Sequence, residues 1–507
     1  MEKLLTFSYP AIIGVLFWCW LASAVLNFRT FVKSFKQISP QILFGLFLIL
    51  TLSLCLRLFY VPKIPQIFND ELNFLEIAKN MALEQRAFVL TSLGVEKFLP
   101  APLGWEYLIS LAFRCFPIKP ETAFYLNSII SGLTVLPLFF LALFLAKDEL
   151  TALWASLIYS ILPVALRISG SAALEPSTLF FWLLAFWSLI LLQKNPGLLN
   201  SLFSLFTILY LINLRQESLF FFLPILLLFW LIYGGGNINL KSPLNLLFLG
   251  FFLYFSLPYL MVVFYGLSNG FYYFYEPAKE RLIHIKQNFL YNLIFWFDNR
   301  INPAVITMLA SIGLVSQRSN KKLLWFLSAW LVGGYCFYSL NPSVDFSLKH
   351  TLDSWRMSLY LCPPLIILAA LGIKWLRDKL GIWSVIIILL ILLSFPISYR
   401  NFIFAKSHLM KTYSFMAEIG KLIPEKALIY VMSDQVLWGE SLVYMGRWAM
   451  MRQLVIPKPA NEFGIQKWPA RYILTFKELT DKQKFQRIAE GEILSNGMKP
   501  FMYRILR

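Results

Sequence analysis

Apolar residues occur along this chain in long runs, separated by short polar connections. Twelve of these runs approach the roughly 17–25 mostly apolar residues that a transmembrane helix needs. They cover residues 4–28, 42–61, 122–146, 152–168, 176–193, 198–214, 217–233, 244–265, 302–317, 323–340, 357–373 and 380–398. The pattern therefore predicts an all-α polytopic membrane bundle of about 12 transmembrane helices, several of them short.

Two amphipathic stretches lie in the long loop between the second and third runs. In residues 68–81, the apolar residues Leu72, Leu75 and Ala78 recur at helical spacing, and the remaining positions are mostly polar. The stretch 103–116 is also amphipathic and is too short and polar to cross a bilayer. Both stretches are predicted to be helices that lie in the membrane interface.

The pattern changes near residue 399 to short apolar runs that alternate with helical periodicity, which predicts a small α/β soluble domain. The expected strands are 427–432, 470–476 and 500–506, and the expected helices are 408–422 and 481–490. The predicted domains are an extra N-terminal span with a basic loop (1–41), a transmembrane domain with a large loop at 62–121 (42–398), and the C-terminal domain (399–507).

Composition supports a membrane protein and excludes an ordinary soluble one. The chain is 58% hydrophobic and 14% charged, against roughly 45–50% and 25% for soluble domains. Its net charge of +18 is explained by basic cytoplasmic loops and anionic lipid headgroups. No nucleic-acid-binding module is visible, so we expect no nucleic-acid partner.

The distribution of basic residues predicts the orientation of the bundle. Lys and Arg concentrate in the alternate connections 29–36, 318–322 and 374–379, whereas the opposite connections 62–101 and 341–356 are nearly neutral. The positive-inside rule then places both termini and the long loops outside the cytoplasm. A cleaved signal peptide over residues 1–24 is the alternative, and it would invert this topology.

The pair Asp70-Glu71 opens the first amphipathic helix and has two interpretations. An Asp before an apolar-periodic run is a preferred helix N-cap, and acids in the first turn suit the helix dipole. Acids close to the end of a span are also suited to chemistry at the membrane surface. Spacing alone leaves both interpretations open.

The order of several motifs resembles the glycosyltransferase-C superfamily, which includes the protein O-mannosyltransferases and the lipid A aminoarabinose transferases. Asp70–Met81 follows the pattern D-E-x-x-Y-x-x-I-A-x-x-M, with Phe74 at the usual tyrosine. Further partial matches are Glu96-Lys97 ahead of Pro100-Ala101-Pro102, Glu175-Pro176 where Asp is usual, and Arg356 ahead of Pro363-Pro364. The resemblance covers about residues 42–400.

The resemblance implies a membrane enzyme that transfers a sugar from a polyprenyl-phosphate donor to a lipid, glycan or protein acceptor, with inversion, on the extracytoplasmic side. Such transfer needs a base near the acceptor hydroxyl and cations on the leaving phosphate. The implied roles are catalysis by Asp70, Glu71 and Glu175, donor-phosphate binding by Arg356 and Lys97, and substrate contact by Glu96, Arg215 and Glu217. A divalent metal ion on Asp70 and Glu175 is the cofactor that the resemblance allows.

Each of these residues also has a structural interpretation. Glu175 could lie at the lipid interface, Arg356 could anchor its span, and Arg215 and Glu217 could form an internal ion pair. His284 and His350 are isolated candidates for metal ligands. The absence of a usable N-x-S/T sequon slightly favours a bacterial plasma membrane.

Two other classes of function fit a polytopic chain. A lipid or sugar transporter or flippase would contain internal repeats with broken helices at corresponding positions, and no such symmetry is visible in the sequence. A non-catalytic scaffold would account for a C-terminal domain but would leave the Asp-Glu loop unexplained.

Overall fold

The computed structural model describes most of the chain. The described residues are 2–66, 68–90, 96–234, 243–268, 289, 292–296, 298, 300–339, 354–406, 410–424, 427, 429–432, 446–449, 454–455, 472–475, 478–479, 481, 483–492 and 499–506. His284 and His350, both named above as candidate metal ligands, lie outside this set.

The described chain is predominantly helical. Its α-helices are α1 Glu2–Leu26, α2 Phe28–Lys36, α3 Pro40–Cys55, α4 Phe68–Glu84, α5 Gly104–Cys115, α6 Pro120–Leu133, α7 Val135–Ala146, α8 Glu149–Ile161, α9 Pro163–Ser169, α10 Glu175–Lys194, α11 Leu198–Ile212, α12 Phe222–Tyr233, α13 Pro243–Ser268, α14 Ala304–Ser316, α15 Lys321–Ser339, α16 Cys362–Leu380, α17 Ile382–Leu393, α18 Phe395–Ser398, α19 Arg400–Ile403 and α20 Met410–Gly420. A π-helix covers Leu56–Tyr60, and 3-10 helices cover Gln216–Ser218, Leu293–Trp296 and Ser354–Leu361.

Seven helical segments of the described chain are long and apolar enough to cross a membrane. They are Glu2–Leu26, Pro40–Tyr60, Pro120–Ala146, Glu175–Lys194, Gln216–Tyr233, Phe248–Gly266 and Trp355–Leu380. The pair α8 and α9 would make eight, but it is bent by 54° at Pro163. The prediction of a polytopic helical bundle is confirmed, and the count of about 12 spans is not.

The difference in count has a physical reason. The runs 198–214 and 302–317 do form helices, but α11 has 15 residues and α14 has 13. At a rise of about 1.5 Å per residue such helices are shorter than the roughly 30 Å hydrocarbon layer. Proline also interrupts apolar runs, because it lacks an N–H and clashes with the preceding turn.

The core of the bundle is built around α10. Within the apolar window of α10, 89% of the residues are buried, against 22% for the segment Pro40–Tyr60. The ring of Trp182 lies 4.4 Å from the rings of both Phe222 and Trp330. A helix that is apolar on every face is typically buried, and α10 follows this rule, with its N-terminal end at Glu175.

The extra N-terminal helix packs into the same core. The hydroxyl of Tyr9 donates to Asn213 Oδ1 at 2.9 Å, and Asn27 Nδ2 donates to the carbonyl of Leu199 at 2.8 Å. Gly14 allows α1 to approach the ring of Tyr107, whose hydroxyl would lie 3.0 Å from a Cβ at that position. Helix α1 is thus an integral part of the bundle.

The two predicted interfacial helices are present as α4 and α5. Leu72, Leu75 and Ala78 of α4 are fully buried, as their spacing predicts. The short strands β1 (Val89–Leu90) and β2 (Glu96–Lys97) pair antiparallel in the same loop. Helix α4 carries Asp70 in its first turn.

The described C-terminal segments contain helix α20 and a five-stranded sheet. Its strands are β3 Ile429–Met432, β4 Leu454–Val455, β5 Tyr472–Thr475, β6 Phe485–Glu490 and β7 Phe501–Ile505. The strand order is β4-β3-β5-β7-β6, with β3 parallel to β4 and β5 and the other pairs antiparallel. Trp448 stacks on Phe113 of α5 at 6.3 Å, which joins this region to the interfacial helices.

The helix predicted over 481–490 is wrong, because most of that segment is the edge strand β6. Phe485, Ile488 and Ala489 are its less exposed residues, a spacing that resembles a helix. The spacing arises from a register shift between Arg487 and Ala489, which is typical of a β-bulge. Charged residues on the strand protect the exposed sheet edge.

Helices α14 and α16 cross in close contact through two glycines. A Cβ on Gly313 would lie 1.9 Å from the carbonyl oxygen of Leu368, and one on Gly372 would lie 2.0 Å from that of Leu309. Small residues are what allow two membrane helices to approach so closely. This crossing fixes α16, whose preceding 3-10 turn carries Arg356.

We expect Gly372→Ala to destabilise the protein by about 2–3 kcal/mol, because the added methyl group overpacks the helix crossing. Gly333→Ala in α15 is the matched control, since nothing lies within 4 Å of a Cβ there. It should be neutral or stabilising by up to about 1 kcal/mol. Thermal unfolding in detergent measures both, and equal stability of the two variants would contradict the crossing.

Candidate active site

Four segments that are distant in sequence meet at one end of the bundle, here called the site end. They are the first turn of α4, the N-terminus of α10, the link 213–217 and the 3-10 helix Ser354–Leu361. Each contributes one or two charged side chains: Asp70, Glu175, Arg215 with Glu217, and Arg356. These five residues form one continuous charge network.

Arg356 connects the exposed and the buried parts of this network. Its Nη2 donates to Asp70 Oδ2 at 2.6 Å, and its Nε lies 3.2 Å from Glu175 Oε1. The Asp70 side chain is 46% exposed, whereas that of Arg356 is 10% exposed. Asp70 therefore presents an accessible carboxylate that is fixed from behind by a buried cation.

Glu175 lies at the centre of the network, between two guanidiniums. Its side chain is fully buried, and Oε1 also accepts from Arg215 Nη1 at 2.7 Å. Arg215 in turn pairs with Glu217 at 2.7 Å and donates to the hydroxyl of Tyr360 at 3.0 Å. Glu175 thus faces the protein interior rather than the lipid interface, and the pair Arg215–Glu217 is an ion pair within the network.

Several buried polar atoms of the site make no hydrogen bond with the described residues. They are Nε and Nη1 of Arg356, Oε2 of Glu175 and Oγ of Ser358. Most buried polar atoms in native proteins are paired, because an unpaired one costs free energy. Spare donors on a buried guanidinium suit an anion that binds beside Arg356.

Glu71 has a different environment from Asp70, although the two are adjacent. Its carboxylate is fully buried, with Oε1 accepting from the backbone N–H of Gln66 and Oε2 from that of Ala172, both at 2.9 Å. These bonds tie the loop ahead of α4 to the loop ahead of α10. The contacts indicate that Glu71 positions the two loops that carry Asp70 and Glu175.

Glu96 and Lys97, the remaining candidates, lie in strand β2. Glu96 forms an ion pair with Arg86, and Lys97 is paired through its backbone with Val89. The described contacts thus assign Glu96 to the hairpin rather than to the network around Glu175. The role of Lys97 stays a prediction.

Two buried arginines were not predicted from the sequence. Arg57 is fully buried in the π-helix, where its guanidinium donates to Ser131 Oγ, Ser53 Oγ and backbone carbonyls. Arg167 lies over the ring of Trp355 at 4.5 Å, and Trp355 precedes Arg356 in the sequence. Both arginines lie inside predicted spans. This position could have identified them, because an ionisable residue in a span usually faces the interior of the bundle.

Two further groups in the loops have perturbed pKa values. Burial, and then the charge of Arg57, lower the pKa of Lys63 to about 8. Burial raises the pKa of Glu106, at the start of α5, to about 8. Near neutral pH, Glu106 is therefore largely uncharged, and Lys63 is closer to its titration range than an exposed lysine is.

The described residues do not fit a divalent metal ion. No group of three or more His, Cys, Asp or Glu side chains within the described part of the chain could hold one. The carboxylates of Asp70 and Glu175 are both in contact with Arg356, whose positive charge repels a cation. The metal ion that the resemblance allows on Asp70 and Glu175 stays a prediction.

No family model and no curated protein matches this sequence. Solved structures do match the fold. ArnT from Cupriavidus metallidurans, in the apo state, matches with a TM-score of 0.60 at 12% identity, over 90% of this chain and 97% of that protein. The same protein bound to undecaprenyl phosphate matches with a TM-score of 0.55 at 12% identity, over 91% and 97%.

A second similar structure is the archaeal oligosaccharyltransferase AglB from Archaeoglobus fulgidus, in complex with an inhibitory peptide and a dolichol-phosphate. It matches with a TM-score of 0.54 at 14% identity, over 87% of this chain and 70% of AglB. Both ArnT and AglB have the glycosyltransferase-C fold. The chain therefore has this fold, and the resemblance found in the sequence is confirmed at that level.

We expect Glu71→Gln to lower stability by about 2 kcal/mol, because an amide cannot accept from backbone N–H groups at both of its ends. Glu418→Gln, on the exposed face of α20, is the control for the loss of one carboxylate. Thermal unfolding of the two purified variants measures the difference. An unchanged melting temperature in Glu71→Gln would show that the two backbone contacts do not hold the loops.

Proposed function

We propose that this chain, with its glycosyltransferase-C fold, is a membrane glycosyltransferase that takes its sugar from a polyprenyl-phosphate-linked donor. The observation that carries the proposal is the pairing of an accessible Asp70 with a buried Arg356 that has spare donors. This arrangement sets a potential base beside a potential phosphate site. The similar structures of AglB and ArnT contain dolichol-phosphate and undecaprenyl phosphate, respectively, which supports a lipid phosphate as the donor class.

In the proposed reaction, Arg356 binds the phosphate of the donor. A guanidinium can give two parallel hydrogen bonds to phosphate oxygens, and its charge stabilises the negative charge that develops on the leaving group. Nη1 of Arg356 has no hydrogen-bond partner among the described residues and is the donor available to the phosphate, whereas Nε faces Glu175 Oε1 at 3.2 Å. Lys97 is a second proposed contact to the same phosphate.

Asp70 is proposed to act as the general base. It takes the proton of the acceptor hydroxyl while that oxygen forms a bond to the anomeric carbon of the sugar. The bond from this carbon to the phosphate oxygen breaks with its electron pair, and the polyprenyl phosphate leaves. Attack opposite to the leaving group inverts the anomeric configuration.

The other acids and bases of the network are proposed to position these groups. Glu175 fixes Arg356 from the buried side. Arg215 contacts the same carboxylate oxygen of Glu175 and adds a second positive charge beside it. Glu217 and Glu96 remain candidates for contact with substrate, as does Arg215. Glu175 is fully buried and contacts both guanidiniums, so it is better suited to holding Arg356 than to contacting the acceptor.

The proposed setting is a bacterial plasma membrane with the site end outside the cytoplasm. Residues 42–398 form the proposed catalytic domain, with its catalytic loop at 62–121, and residues 399–507 form an extracytoplasmic domain. The acceptor is a lipid, a glycan or a protein. A flippase is the alternative, and it would move a lipid-linked sugar without breaking the sugar–phosphate bond.

Asp70→Asn tests the base. We expect the variant to fold and bind donor lipid, but to transfer sugar about 100-fold more slowly or worse, since losing a general base costs about 10²–10⁴-fold. Sugar transfer from a radiolabelled polyprenyl-phosphate donor in proteoliposomes is the measurement. Glu84→Gln, at the exposed C-terminal end of the same helix, removes a carboxylate without touching the network.

Transfer by Asp70→Asn at close to the parental rate would remove Asp70 from the mechanism. Movement of the intact donor across the vesicle membrane, with no transfer by the parent protein, would favour the flippase instead.

Arg356→Lys tests the phosphate contact. We expect the apparent affinity for the donor to fall about tenfold, because lysine keeps the charge but loses the planar fork. Arg356→Ala should weaken it further. The control is Arg300→Lys, because Arg300 is exposed and pairs with Asp298 outside the network. Donor titrations of the three variants give the comparison, and an unchanged affinity in Arg356→Ala would assign Arg356 to anchoring alone.

A further inference from the structure

A cavity of about 720 Å³ lies at the end of the bundle opposite the site end. Helix α10 connects the two ends, with Glu175 in the network and Lys194 in the cavity wall. Its 20 residues correspond to a length of about 30 Å at about 1.5 Å per residue. The cavity is therefore about one membrane thickness away from Asp70, and it has no part in the proposed reaction.

Three lysines line this cavity, against a single acid, Glu149. Lys147, Lys194 and Lys322 are all exposed, and none of them forms an ion pair within the described part of the chain. The acid in the wall, Glu149, is already engaged with the hydroxyl of Ser39 at 2.5 Å and with its backbone N–H. The cavity therefore carries an excess of positive charge.

The backbone at Lys147 supports a role for that side chain. Lys147 ends α7 with φ +51°, in the left-handed region where glycine or asparagine is the usual residue. A lysine at this position carries a conformational cost, and its ammonium group is thereby placed at the cavity.

The deeper wall of the cavity is apolar and aromatic. The rings of Phe140 and Trp187 stack at 4.4 Å, with an angle of 7° between their planes. Phe144 and Tyr233 lie next to them, 5.5 Å apart. Cations at the mouth and aromatic rings behind them suit a ligand with a negative head and an apolar body.

The neighbouring helix α2 indicates that this end lies at a membrane surface. Phe31 and Phe35 pack against Trp187, at 5.2 and 6.3 Å, while Lys33 and Lys36 are exposed. An amphipathic basic helix of this kind lies in the headgroup region of a bilayer. Basic pockets between membrane helices at that depth bind lipid headgroups.

We propose that this cavity binds the headgroup of an anionic phospholipid. The phosphodiester lies among Lys147, Lys194 and Lys322, and the glycerol and upper acyl chains lie along the wall of Phe140 and Trp187. The volume is within the roughly 300–1,000 Å³ of small-molecule sites. The inference does not depend on the proposed glycosyl transfer, because it concerns residues at the opposite end of the bundle.

Binding of short-chain phosphatidylglycerol to the full chain in neutral detergent tests the proposal. The test variant is Lys147→Gln/Lys194→Gln/Lys322→Gln. The matched control, Arg29→Gln/Lys33→Gln/Lys36→Gln, removes the same charge from exposed positions of α2 outside the cavity wall. Native mass spectrometry or a direct titration gives the affinity of each variant.

We expect the test variant to bind about 100-fold more weakly, at roughly fivefold per lysine, and the control to stay close to the parent. Leu143→Trp, which fills the cavity without a change of charge, should also weaken binding. Phosphatidylcholine and inorganic phosphate should not compete.

An equal loss of affinity in the test and control variants would show that phosphatidylglycerol is attracted to the charged surface as a whole. That result would overturn the proposal. Unchanged binding in the test variant, or in Leu143→Trp, would also overturn it. If inorganic phosphate competed effectively, the ligand of the cavity would be a small anion rather than a lipid, and the proposal would be overturned.

Discussion

The fully buried carboxylate of Glu175 is tolerated because two guanidiniums, those of Arg215 and Arg356, lie against it. An isolated charge in such a place would cost several kcal/mol, and removing one partner of a buried pair typically costs about 3–5 kcal/mol. The three residues come from separate segments, so the folded bundle must bring those segments together. Asp70 then acquires its orientation from Arg356, at 2.6 Å.

The rest of the bundle holds this network in place by packing. The aromatic contacts of Trp182 fix α10 against α12 and α15, and the glycine crossing at Gly313 and Gly372 fixes α16. Glu71 ties together the loops ahead of α4 and α10 through two backbone N–H groups. The charged residues of the site thus lie on elements that cannot move independently, which suits the positioning that catalysis needs.

The two ends of the bundle differ in how their charges are balanced. At the site end, acids and bases form a closed network with one accessible carboxylate and a buried cation that has spare donors. At the opposite end, Lys147, Lys194 and Lys322 line a cavity with one acid, Glu149, and none of the three lysines forms an ion pair with a described residue. The first arrangement suits chemistry on a phosphate-linked substrate, and the second suits the binding of the headgroup of an anionic phospholipid.

The sequence by itself determined the helical membrane class, the amphipathic helices α4 and α5 and the segments that carry the charged residues. These depend on local periodicity and on apolar run length, which the chain shows directly. Tertiary structure alone decided that Arg356 reaches Asp70 across 286 positions, that Glu71 faces backbone amides, and that most of 481–490 is a bulged edge strand. Within the described residues it also gives seven or eight candidate spans, so the count of about twelve is not confirmed. Such outcomes depend on contacts between distant segments, and periodicity does not record them.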